Sequence, residues 1–115
     1  MNHKIAYLVQ YTALCSTLDL LASLNITATY GQVARAIGLQ ARSQTFFEML
    51  GETMDEDMAL GNAPRCALVV TSKTGRPGPA FYERAVMMHG VTIAAGAEEA
   101  FHDLMKQQVF AAANK

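Results

Sequence analysis

Over residues 4–24 apolar side chains recur at helical spacing on two stripes, one of Leu14, Leu18 and Leu21 and one of Val9, Leu20 and Leu24. No proline or glycine interrupts them, so the run predicts one long helix with a wide apolar face, the first helix of a helical core. Asn25-Ile-Thr-Ala28 reads as a connection, with Ile26 stapling it to that core. A short second helix is expected over 30–37. Thr29 is its N-cap, with a hydroxyl to accept from the first unpaired backbone N–H groups, and Gly38 can take the left-handed conformation that ends a helix.

A third helical pattern opens near Ala41 and carries Phe46, Phe47, Met49, Leu50 and Met54. Its later part holds Glu48, Glu52, Asp55, Glu56 and Asp57. Acid late in a helix opposes the macrodipole, and Gly51 offers an early end that would leave the acidic tail as a second turn or a loop. After the break at Gly61-Asn-Ala-Pro64, residues 65–72 are short and rich in branched side chains, a strand signal. Lys73-Thr-Gly-Arg76-Pro-Gly-Pro79 is dense in turn residues; after a strand such a tip fits the wing of a winged helix, and a solvated loop explains the same residues. A helix is expected over 81–88, with Phe81, Ala85, Val86 and Met88 turned to the core and Gly90 as its stop. A last helix starts at 96–99, with Glu98 and Glu99 in its first turn and Phe101, Leu104, Met105, Val109 and Phe110 at helical spacing.

The fold class expected is therefore mainly α with a short β element, a winged helix-turn-helix-like single domain with an additional C-terminal helix. It divides into the long helix at 4–24, a helix-turn-helix-like segment at 27–60, a strand and wing-like loop at 64–80, and the C-terminal helices at 81–114.

Composition narrows the chemistry. With 115 residues, 51% apolar and 17% charged, the chain has enough apolar surface for a real core. The formal net charge of −1 supplies no long-range field for a polyanion, so nucleic-acid binding would have to rest on a local patch. The run from Ile5 to Leu24 approaches membrane-spanning length, but Asp19 within it costs about 3 kcal/mol on insertion scales, which favours a buried helix of a cytoplasmic protein that does not engage a membrane. Cys15 and Cys66 lie far apart with no Cys-x-x-Cys spacing, so neither a metal nor a cofactor is expected. His3, His89 and His102 are isolated and read as surface or cap residues, and Glu98-Glu99 as helix-start charge, so no catalytic set emerges. The seven methionines suit core filling or an adaptable partner surface.

Thr29-Tyr-Gly-Gln-Val-Ala-Arg35-Ala-Ile-Gly38 resembles the DNA-binding domain of alkylguanine-DNA alkyltransferases and of the non-catalytic alkyltransferase-like proteins. The likeness extends loosely over 18–91: Pro64-Arg-Cys66-Ala-Leu-Val69-Val70 is similar to the family's Pro-Cys-His-Arg-Val-Val strand, and 84–91 to its closing helix. The resemblance implies that Tyr30 presses on the backbone of a target nucleotide, that Arg42 fills the stack when a base is extruded, and that Cys66 stands at the place of the alkyl-accepting thiolate. A planar cation suits the filling role because extrusion costs a few kcal/mol. Where the family has its histidine and arginine this chain has Ala67 and Leu68. A thiol without a neighbouring base or cation is a small hydrophobe rather than a nucleophile, so no enzymatic alkyl transfer is expected.

Two functions follow as expectations. The first is a non-enzymatic alkyltransferase-like module that binds DNA through Tyr30, Gln32, Arg35, Arg42, Lys73 and Arg76. The second is a protein-interaction module on the same fold, a small regulator or phage-type inhibitor of a nucleic-acid enzyme, meeting its partner through Glu48, Glu52, Asp55, Glu56 and Asp57. A homodimer is compatible with both.

Overall fold

The structure is a computed structural model and describes residues 3–115. Five α-helices and two very short strands are found among them: α1 (His3–Leu24), β1 (Ala28–Thr29), α2 (Tyr30–Ala36), α3 (Gln44–Ala59), β2 (Val69–Val70), α4 (Pro79–His89) and α5 (Glu98–Ala113). A single 3-10 turn, Arg65–Leu68, leads into β2. The protein is thus mainly helical with a small β element, as the pattern of apolar positions predicts.

The local chemistry of the second helix is as expected. Thr29 accepts from the Gln32 backbone N–H (3.2 Å) while the Gln32 side chain accepts from the Thr29 N–H (2.9 Å), a reciprocal capping box. Gly38, at φ 80°, lets the chain leave α2. The next helix starts later than the sequence suggests, at Gln44, because Ser43 caps it through the Phe46 N–H (3.0 Å).

Two expectations are corrected here. First, α3 does not end at Gly51 but runs to Ala59. Its acids are tolerated because basic and phenolic groups from other elements meet them: Arg84 and His89 at Asp55, Arg65 at Asp57, and Tyr11 at Glu56. Second, the strand expected over 65–72 shrinks to Val69–Val70, preceded by the 3-10 turn. Cys66, Ala67 and Leu68 are all buried in succession, which an alternating strand facing one core cannot achieve. The turn wedges them among α1, α3 and α5. Asp57 fixes its start, accepting from the Arg65 backbone N–H (2.8 Å) and from the guanidinium (3.0 Å).

Val69–Val70 pairs in parallel with Ala28–Thr29, Ala28 opposite Val69 and Thr29 opposite Val70. This pairing brings the start of α2 beside the end of the buried turn, although some forty residues separate them in sequence. The following loop closes on itself: Thr71 N–H donates to the Arg76 carbonyl (2.9 Å) and Gly75 N–H to the Thr71 carbonyl (2.9 Å).

The core centres on Leu14, Leu18, Phe46, Met49, Met54 and Leu68, all essentially solvent-free. Of the two stripes on α1, only Leu14, Leu18 and Leu21 are buried with Ala22; Val9, Leu20 and Leu24 face outward with Ile5 and Leu8. Length and composition alone would let α1 cross a membrane. Ile26 is 47% exposed and outside the core cluster, and Val86 and Met88 are likewise exposed while Phe81 and Ala85 enter the core. Burying one stripe of each helix suffices for a bundle this small, so the second stripe stays outside.

Candidate functional site

The β1–β2 pairing and the packing of α4 on α3 leave a cleft of about 780 Å³. Its walls come from the N-terminus of α2, the turn before α3, the middle of α3, the end of β2 and one side of α4. Tyr30, Arg42 and Cys66 all line it. They are 12 and 24 residues apart in sequence and converge only through the fold.

Tyr30 is held rigidly. Its hydroxyl accepts from the Gly78 N–H (2.8 Å), tying α2 to the residue that precedes α4. Its ring packs edge-on to Phe46 (centroids 6.5 Å apart) and tilted against Phe47 (5.8 Å). Burial raises the phenol above its ordinary pKa, so it remains a neutral donor and acceptor. Arg42 sits in the turn between α2 and α3, exposed, with no ion pair among the described residues.

Cys66 forms part of the floor and is 6% exposed. Burial, reinforced by the Asp57 charge, pushes its thiol up to about 12. It is therefore a protonated, apolar element of the floor at neutral pH. The base that would activate it is absent because Ala67 and Leu68 are core residues.

The remaining candidate residues do different work. Gln32 is spent in the capping box, and Arg35 folds back on the Gly31 carbonyl (3.4 Å) at the exposed side of α2. Lys73 is exposed in the loop after β2, outside the cleft lining. Arg76 is turned the other way, onto α5. Its guanidinium donates to Glu99 (2.7 Å), Asp103 (3.0 Å) and His102 Nδ1 (3.2 Å).

His102 is correspondingly not a surface or cap residue but fully buried. Its Nε2 lies 2.8 Å from the Ala67 carbonyl, which can only accept, and its Nδ1 faces an arginine, which can only donate. The ring is thus the neutral Nε2–H tautomer. Burial, helped by the nearby Lys106 and Arg76 charges, holds it below its ordinary pKa.

Comparison of the chain with protein families, curated proteins and solved structures found no match.

The cleft contains several residues that the sequence did not place in a DNA-binding site. Phe47, 45% exposed at the cleft mouth, offers a ring face; Leu50, Met54, Val70 and Phe81 make the interior apolar, and Met87, 81% exposed, lines the cleft from its solvent side. Arg84 lines one wall from α4, its Nε and Nη2 bound bidentately to Asp55 (3.0 and 2.5 Å), and Asp55 also accepts from His89 Nε2 (2.7 Å). The Arg84 pair, more than the burial that opposes it, holds the Asp55 carboxyl below the usual carboxylate range. The sequence marks Phe47, Leu50, Met54 and Phe81 only as core positions, Asp55 only as part of an acidic run and His89 only as a surface or cap residue; nothing in it joins them to Arg84, because they belong to three elements that meet only in the packed state.

Proposed function

We propose that the protein is a non-enzymatic, alkyltransferase-like winged-helix module that binds DNA and receives an extruded base in the cleft. The observation that carries this reading is the convergence of Tyr30, Arg42 and Cys66 on one cavity, three positions separated in sequence that the resemblance assigns to a single nucleotide. A volume of about 780 Å³ lies within the range of small-ligand pockets and is ample for a base. An apolar interior with an aromatic face at its mouth favours a flat neutral ring over a phosphate. Arg42, free of carboxylates and next to the opening, is suited to fill the vacated place in the stack. The loop after β2, with Lys73 at its tip, takes the part of the wing.

The buried, protonated Cys66 supports binding without alkyl transfer. The protein-interaction alternative has less behind it, because Asp55 and Asp57 are drawn into internal ion pairs and Glu56 bonds Tyr11. Only Glu48 and Glu52 of that acidic run remain without an internal ion pair among the described residues.

Fluorescence anisotropy with a labelled duplex, titrated at two salt concentrations, tests the reading. Arg35 and Lys73 make no ion pair among the described residues, and Arg42 is taken up in the stack, so up to two phosphates are neutralised. At roughly −0.9 per phosphate, the slope of log K against log salt is then about −1.8. No binding even at low salt overturns it.

A further inference from the structure

We infer that Arg84, held in place by Asp55 and given room by the glycine at position 51, is the residue that selects the base entering the cleft, favouring bases that turn a carbonyl oxygen toward it over bases that turn an amino group. This inference rests on the reading of the cleft as a base pocket.

Three observations carry it. Arg84 lines the cleft, yet its position is not that of a mobile surface arginine. Two of its nitrogens are spent on Asp55 in a fork-to-fork pair, and Asp55 is itself steadied by His89 from the last position of α4. The guanidinium plane therefore has one orientation. Its third nitrogen, Nη1, has no hydrogen-bond partner among the described residues and is not a buried unsatisfied atom.

The second observation is the glycine. Gly51 lies mid-helix in α3, where glycine is the poorest ordinary helix former and no positive φ requires it. A Cβ there would stand 2.8 Å from Arg84 Cζ and 2.9 Å from Nη1. The guanidinium lies against α3 at Gly51, and a Cβ there would force it to shift. Position 51 thus trades helix propensity for the placement of one side chain.

The third observation is charge. Asp55 already compensates Arg84, so this wall does not attract an anion as a bare arginine would. What remains is directional: N–H donors with no acceptor beside them. A donor-only group discriminates between base edges, bonding a carbonyl oxygen or ring nitrogen and repelling an exocyclic amine.

The test uses duplexes whose target position, opposite an abasic residue, carries hypoxanthine, adenine or a second abasic residue. Hypoxanthine and adenine differ at the 6-position, oxygen against amine, and the abasic partner makes extrusion easy for both. The wild type is expected to bind the hypoxanthine duplex on the order of tenfold more tightly than the adenine duplex. Arg84→Met and Gly51→Ala should each bring the two within about twofold of one another, each compared with the same variant's binding of the doubly abasic duplex. Gly51→Ala keeps every charge and improves helix propensity, so it reports on the position of Arg84 even if Arg84→Met fails to fold. A wild-type preference that persists in Gly51→Ala, or wild-type binding with no preference, overturns the inference while leaving the base pocket standing. Absence of wild-type binding to all three duplexes overturns both.

Discussion

Replacing Asp57 with alanine should destabilise the protein by about 3 kcal/mol, as breaking a buried ion pair generally does. Asp57 is 5% exposed and meets Arg65 in four contacts: it accepts from the backbone N–H at 2.8 Å and from Nε at 3.0 Å to each oxygen, and it lies in ion-pair contact with Nη2 at 3.0 Å. These contacts are not additive, because three of them orient one guanidinium. Arg65 would not be stranded completely, since it keeps Asp19 (3.1 Å) and Glu56 (3.5 Å) and its side chain is 18% exposed. The loss therefore falls at the lower end of the buried-pair range. In an Arg65→Met background Asp57 keeps only the bond to the backbone N–H and has lost its counter-ion, so Asp57→Ala should cost less than about 1 kcal/mol there. Urea unfolding followed by circular dichroism, with ΔΔG taken from midpoints at constant m, gives both values. A loss below about 1 kcal/mol in the wild-type background, or equal losses in both, would refute the assignment of Asp57 as the anchor of the buried turn.

Three further outcomes follow from the same contacts. His102 is held below its ordinary pKa of 6.5 by burial, so the unfolded chain binds its proton first as pH falls. Stability should rise with pH through the window below about 6.5 and be flat above it, and His102→Gln should remove that part of the slope in urea midpoints measured from pH 5.5 to 7.5; an unchanged slope counts against the buried neutral tautomer. Thr29→Ala removes one half of the capping box and should cost about 1 kcal/mol, read as a lower thermal midpoint; a loss within a few tenths would mean that the cap is not formed in solution. With its thiol pushed up to about 12, Cys66 should resist iodoacetamide in the native protein at pH 8 and react once urea unfolds the chain, as mass spectrometry of the modified peptide would record. Native labelling at the rate of a free thiol would contradict it.

How much of this was legible beforehand depended on whether the deciding interaction was local. The capping of α2 by Thr29 and the stops at Gly38 and Gly90 were readable because cap and helix lie within a few residues, and both glycines take positive φ. The continuation of α3 through Gly51 was not, since its acids are stabilised by Arg65 and Arg84, distant in sequence. The same holds for the 3-10 turn, whose anchor lies eight residues upstream. In the cleft, Tyr30, Arg42 and Cys66 could be named from a resemblance, whereas Arg84 and Phe47 became visible only when α3 and α4 were packed together. Arg76, a plausible phosphate contact by charge and turn context, is instead a brace between the loop after β2 and α5, a role set by Glu99 and Asp103 more than twenty residues away.

The central claim is that a base leaves the duplex and enters this particular cleft. Photocrosslinking with 5-iodouracil at the extruded position, followed by mass spectrometry of the joined peptide, tests it most directly. Crosslinks confined to Tyr30, Phe47 or Phe81, and lost together with duplex binding in Arg42→Ala, are the predicted result. Crosslinks to the outer face of α1 or to α5, or equal crosslinking in Arg42→Ala, would contradict it.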